Sequence, residues 1–223
     1  MSVSGLFLVL FLLFHMSMNL AAVFSTEAYN AICEFLGANW YALVALAGTL
    51  ILAAGVVVHL VYATVLTLHN RSSRGSQRYA MTAEPEGVTW ASRNMYVLGI
   101  IIVLGLLLHL YNFWYNMQFA EIIGNHELGP FPPADGAAYI AALFSSPVYC
   151  IIYLVWFAAI WFHLTHGFWS AFHTIGWDNQ TWLPRLKRIA NVVATIVFLC
   201  FALVVIVFYL RSLGVCGGSC AGF

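Results

Sequence analysis

The stretch FHLTHGFWSAFHTIGW, residues 162–177, closes a long apolar run and carries His163, His166 and His173. Ionisable side chains are costly inside a bilayer and mark working sites there. His163 and Gly167 stand four residues apart, so on a helix they share a face. A flat cofactor needs both of them: a nitrogen to bind it and a gap beside that nitrogen to admit it.

Outward from this segment the chain is apolar throughout. Of its 223 residues, 63% are hydrophobic and 7% charged, whereas soluble domains carry about 25% charged residues. These values define an integral membrane protein, and a formal net charge of zero argues against a nucleic-acid partner. Five cysteines (Cys33, Cys150, Cys200, Cys216, Cys220) show no CxxC spacing and no disulfide framework; Cys216 and Cys220 either pair in an oxidising compartment or are idle tail thiols. The first apolar run lacks a basic leader and an obvious cleavage site, so it reads as a span rather than a signal peptide.

Five runs are long enough to cross a bilayer, which takes roughly 20 residues each. They lie near 5–25, 41–68, 94–118, 147–172 and 189–211, in a single integral-membrane domain over 1–223. The predicted fold class is therefore an all-α membrane protein of five transmembrane helices. Arg71, Arg74, Arg78 and Arg93 flank the second connection, and Arg185, Lys187 and Arg188 follow the fourth span; only Arg211 falls opposite. The positive-inside rule then places the N-terminus and the connections 69–93 and 173–188 in the cytoplasm, with the C-terminus outside. Glu27, Glu34, Glu121, Glu127 and Asp135 fall on the outer side. Residues 124–136, GNHELGPFPPADG, read as an irregular outer connection. The basic inner loop 71–87 reads either as a docking surface or as a solvated topogenic loop.

Helix rise sorts the histidines by depth. His59 and His163 each lie roughly 24–25 Å along descending helices from the outer face, and His109 lies roughly 24 Å up an ascending one. In a core about 30 Å thick, His59 and His163 are near the inner face and His109 near the outer face. His15 falls in the central or outer half, which predicts two pairs: His59 with His163, and His15 with His109. Gly55, Gly105 and Gly167 each stand four residues from a histidine, while Asn19 takes that place for His15. Small residues also let helices approach with no cofactor, but four unpartnered imidazoles in lipid would be costly. Two bis-histidine haems satisfy all four. A structural zinc would instead want four ligands converging at one depth. His69, His126 and His173 fall at interfaces or in loops, and His166 is intermediate.

The segments GLFLVLFLLFHMSMNL (5–20), SRNMYVLGIIIVLGLLLHLYNFW (92–114) and HLTHGFWSAFHTIG (163–176) resemble the five-helix dihaem cytochrome b subunit of succinate:quinone oxidoreductases, in the form with a single membrane anchor. The resemblance implies that the first four helices form a haem-binding bundle. It implies His15 and His109 as ligands of the iron of an outer haem b, and His59 and His163 as ligands of an inner one. It also implies a bacterial cytoplasmic membrane, a quinone substrate (menaquinone) and two soluble partners on the cytoplasmic side, an FAD-containing flavoprotein and an iron–sulfur subunit. The chain has no dinucleotide fingerprint or cysteine cluster set of its own, so dicarboxylate chemistry belongs to those partners. Some fumarate reductase members carry a membrane glutamate two residues before the fourth ligand; here that position is Trp161. Two other readings predict different company: a cytochrome b anchor of a hydrogenase or formate dehydrogenase, and a small transporter without cofactor.

Overall fold

The computed structural model describes residues 1–37, 39–73, 89–177 and 179–215, and among these there is no strand. The helices run α1 (Ser2–Phe24), α2 (Thr26–Gly37), α3 (Asn39–Ser73), α4 (Trp90–Arg93), α5 (Met95–His109), a π-helical segment (Leu110–Phe119), α6 (Ala120–Ile123), α7 (Gly136–Phe144), α8 (Pro147–Thr174) and α9 (Trp182–Ser212). Five helices are long and apolar enough to cross a membrane: α1, α3, the continuous run Met95–Ile123, α8 and α9. Each contains the core of a span read from the sequence. Arg74 and Arg78 of the inner loop, and Cys216 and Cys220, lie outside the described residues.

Local chemistry sets the helix ends. Ser25 leaves α1 with an extended backbone (φ −153°, ψ 117°), and its hydroxyl accepts from the Ala28 amide at 3.1 Å, so one residue stops α1 and caps α2. Pro147 occupies the first turn of α8, where its missing N–H costs nothing. Gly176, at φ +98°, ends that helix in a conformation a Cβ would oppose.

Two short helices, α2 and α7, stand where the sequence suggested only connections, and they cover the acidic end of the bundle. Asp135 caps α7 through the Ala138 amide (3.1 Å) and accepts from the Asn30 side chain of α2 (2.7 Å). Asn30 in turn accepts from the Ala137 amide (2.9 Å). This reciprocal pair staples α2 to α7. The connection between Gly124 and Asp135 is irregular, as its turn-forming composition predicts.

The core lies where α9 packs along α8, with α1 resting on both; α9 supplies Ala190, Ala194, Val197, Val204, Val205 and Phe208. In lipid, helix association depends on close packing rather than on removal of water. Ala190 and Ala194 are completely covered, and such small residues let backbones approach. The fifth span is therefore central to the bundle. By contrast, α3 has no buried residue along its most apolar window. It rests on α1 and α2 and touches α5 only lightly.

Arg211, which the sequence reading sets apart from the other Lys and Arg residues, has a structural task. Arg211 of α9 donates to the carbonyls of Val23 (2.8 Å) and Ala22 (3.5 Å), in the last turn of α1, and lies 5.1 Å from the Phe208 ring. Those carbonyls have no partner within their own helix, and a cation there also complements the helix dipole. Arg211→Ala is expected to cost about 1–2 kcal/mol, measured by detergent-denaturant unfolding in mixed micelles; Arg211→Lys should recover part of it.

Candidate functional site

The predicted outer pair meets across two helices. His15 of α1 and His109, the last residue of α5, have ring centroids 5.7 Å apart and planes at 87°. Aromatic rings surround them. Phe11 stacks on His15 (5.4 Å) and Phe201 of α9 approaches it at 6.1 Å. Phe113 (5.1 Å), Trp156 (5.6 Å) and Tyr153 (6.3 Å) surround His109.

The predicted inner pair also meets: His59 of α3 and His163 of α8 have centroids 6.3 Å apart and planes at 64°. The first turn of α1 touches this pair, with Ser4 Oγ 3.3 Å from His59 Nδ1. Ser4 at one level and His15 at the other are separated by about 16 Å along the α1 axis. The two pairs thus occupy two depths, and α1 passes both.

Two metal–imidazole bonds of about 2.0 Å, plus about 1.1 Å from each nitrogen to its ring centre, span about 6.2 Å. Both observed separations lie close to this value. The donor count is also informative: no group of three or more His, Cys, Asp or Glu side chains converges among the described residues. Each level offers two nitrogens, too few for tetrahedral zinc and suited to the axial positions of a macrocycle that brings its own four donors. One ring of each pair also has a polar atom in need of a partner. His109 Nδ1 and His163 Nδ1 are buried with no hydrogen bond among the described residues, as is His166 Nδ1, and an unmatched buried polar atom costs free energy.

The glycine gaps differ from expectation. A Cβ on Gly105 would overlap Trp156, whose indole fills that space and donates to the Ile102 carbonyl at 3.0 Å. Gly55 receives the Phe7 ring, whose nearest atom is 2.9 Å from where a Cβ would stand. Only the Gly167 gap is open, with Met95 and His163 no closer than 3.7 Å. Two of the three glycines therefore seat aromatic side chains rather than leaving empty slots.

Asn19 has a role the spacing did not suggest. Its Nδ2 donates to the His15 carbonyl (2.8 Å) and lies 3.3 Å from His15 Nε2, while its Oδ1 accepts from the Tyr29 hydroxyl (3.1 Å). Beyond Tyr29 sits Cys33, whose thiol is pushed up to about 11 by burial; burial likewise raises the Tyr29 phenol. Gly136 admits both: a Cβ there would be 2.6 Å from Cys33 Sγ and 2.8 Å from Tyr29 Cε1.

Immediately after His109 the third span widens into the π-helical segment, a form frequent at functional sites. Asn116 donates to the carbonyls of Tyr111 (3.0 Å) and Asn112 (3.1 Å), meeting part of the hydrogen bonding of the wider turn. Asn112 donates to the Tyr153 hydroxyl at 3.1 Å, which links this segment to the wall of the outer pair. The run YNFWYN carried the polar residues, but nothing in its period announced the wider helix.

The other histidines stand apart. His126 lies 3.6 Å from Glu121 at the surface, and His173 lies against Trp169. His166 packs on the edge of Trp169 (4.9 Å), over which Lys187 Nζ sits at 4.7 Å. Trp161 donates to Thr195 Oγ1 at 3.1 Å.

The chain matches no family model, no curated protein and no solved structure. Fold and site define its class: an all-helical, multi-pass membrane protein with two pairs of facing histidines at different depths.

Proposed function

We propose that the chain is the membrane-anchor cytochrome b subunit of a succinate:quinone oxidoreductase. It would serve electron transfer between an iron–sulfur subunit and a quinone, menaquinone being the expected one. His59 and His163 would hold one haem b, and His15 and His109 another. The observation that carries this reading is the pairing itself: histidines from four spans, far apart in sequence, meet two by two with ring centres 5.7 and 6.3 Å apart, near the separation that two ligands of one metal would have. Each bound haem would supply reversible one-electron chemistry. The chain's own contribution is to supply and orient the imidazoles, to surround the outer pair with rings that exclude water, and to hold the two levels apart along α1.

The basic connections form the docking face for the FAD-containing flavoprotein and the iron–sulfur subunit, on the cytoplasmic side of a bacterial membrane. Arg185, Lys187 and Arg188 lie at the α9 end of this face and Arg71 at the end of α3. The C-terminus is then outside.

Two imidazoles meeting edge to face reach similar spacings with no metal, so the deciding experiment is optical. Purified protein should give a b-type reduced-minus-oxidised spectrum and two haems per chain by pyridine haemochrome assay. A colourless preparation would overturn the reading and favour a cofactor-free transporter. Copurification of a flavoprotein supports the succinate:quinone assignment, whereas a nickel or molybdenum subunit selects the hydrogenase or formate dehydrogenase anchor. Single cysteines in 173–188 should crosslink to an iron–sulfur protein; crosslinks only from 124–136 would invert the orientation.

A further inference from the structure

The four paired histidines differ in what holds their second ring nitrogen. Among the described residues His109 Nδ1 and His163 Nδ1 have no hydrogen-bond partner, and His15 meets Asn19 through Nε2. His59 alone among the four has a side-chain partner at Nδ1 among the described residues: Ser4 Oγ at 3.3 Å. The direction of that contact follows from the hydroxyl's other bond. A serine hydroxyl has one hydrogen, and Ser4 donates it to the Met1 carbonyl at 2.8 Å, an acceptor with no hydrogen to return. Toward His59 the same oxygen can then accept, an arrangement that puts the ring proton on Nδ1, and the Met1 backbone is a second hydrogen-bond partner of this ring. Gly5 brings the same edge of the ring close: a Cβ there would lie 3.4 Å from His59 Cε1 and 3.7 Å from Nδ1. The Nδ1–Cε1 edge is thus set against α1.

We infer that Ser4 is a positioning residue for the inner pair: its hydroxyl fixes His59 as the Nδ1–H tautomer and so keeps Nε2 as the lone-pair nitrogen available to a metal. The inference rests on the proposed haem between His59 and His163. An acceptor on the distal N–H also strengthens an imidazole as a donor and favours the oxidised metal. Such partners are worth about tenfold or more in metal retention.

The test uses purified full-length protein and the variants Ser4→Ala and Ser4→Thr. In the haem-loaded protein, Ser4→Ala should shift the midpoint potential of one haem upward and leave the other unchanged. The affected haem should be the one that His59→Ala removes, and its retention on detergent dilution should fall by about tenfold. Ser4→Thr, which keeps the hydroxyl, should restore both. In parallel, nitrogen-15 resonances of labelled His59 in haem-free protein should report the Nδ1–H tautomer and lose that preference in Ser4→Ala. Unchanged potentials and an unchanged tautomer in Ser4→Ala overturn the role of Ser4. If the wild-type chain binds no haem, the proposed function fails instead, and the nitrogen spectra alone still decide whether Ser4 sets the tautomer.

Discussion

His163→Ala is expected to reduce the haem content from two per chain to one, and His59→Ala to remove that same haem. His15→Ala and His109→Ala should each remove the other. The expectation follows from the two facing pairs, at 6.3 Å for His59 with His163 and 5.7 Å for His15 with His109. On the proposed reading, loss of either histidine would remove one of the two nitrogens that hold the group. His166→Ala should retain both haems, because His166 packs on Trp169 rather than facing another histidine. Redox titration of the five variants, with haem counted per chain, checks the assignment. Loss of a haem in His166→Ala alongside its retention in His163→Ala would reverse it.

Gly105→Ala should damage the outer centre far more than Gly55→Ala damages the inner one, although both place a methyl where an aromatic ring now sits. Trp156 has no easy retreat. Its indole is tied to the Ile102 carbonyl at 3.0 Å and packed between Tyr153 (5.6 Å) and Phe157 (5.5 Å). Expelling it sacrifices a hydrogen bond and overpacks the α5–α8 contact, together about 2–4 kcal/mol. The ring also leaves its place against His109. Phe7, by contrast, is 37% exposed toward lipid and can swing away from a new methyl. Gly105→Ala should therefore lower outer-haem occupancy and unfolding stability together, while Gly55→Ala stays near wild type. Equal losses in the two variants would show that the inner cleft is as tightly filled as the outer one.

The spans and the histidine partners were legible for the same reason: both follow from helix rise and bilayer thickness, which hold whatever the side chains do. His15 was the least certain in depth, and its position against His109 comes from the packing of α1 on α8 and α9. The glycines misled because a spacing of four states where a gap lies, not what fills it. Trp156 lies fifty-one positions beyond Gly105, and no local period connects them. Asn19 looked like a poor substitute for glycine, yet it is a hydrogen-bonding partner for His15 whose orientation depends on Tyr29. The helices α2 and α7 were missed because the first is too polar to resemble a span and the second too short. Only the Asn30–Asp135 staple, formed between distant parts of the chain, gives them a shared reason to order. The place of α9 in the core was hidden too, since apolar residues facing lipid and apolar residues facing protein look alike in sequence.

The bareness of α3 bears on how such a protein is made and kept. A span that buries nothing along its most apolar window contributes little packing energy of its own, and in lipid no solvent pressure drives it home. On the proposed reading, the bond through His59 adds a lateral restraint to its packing on α1 and α2 and to the 2.9 Å hydrogen bond from Thr49 to Gln118. A newly inserted chain would then remain unlatched until haem arrives, with α3 open to membrane-embedded proteases. Cellular abundance of the intact polypeptide should accordingly track haem supply, so that cofactor scarcity is met by turnover of empty chains rather than by their accumulation.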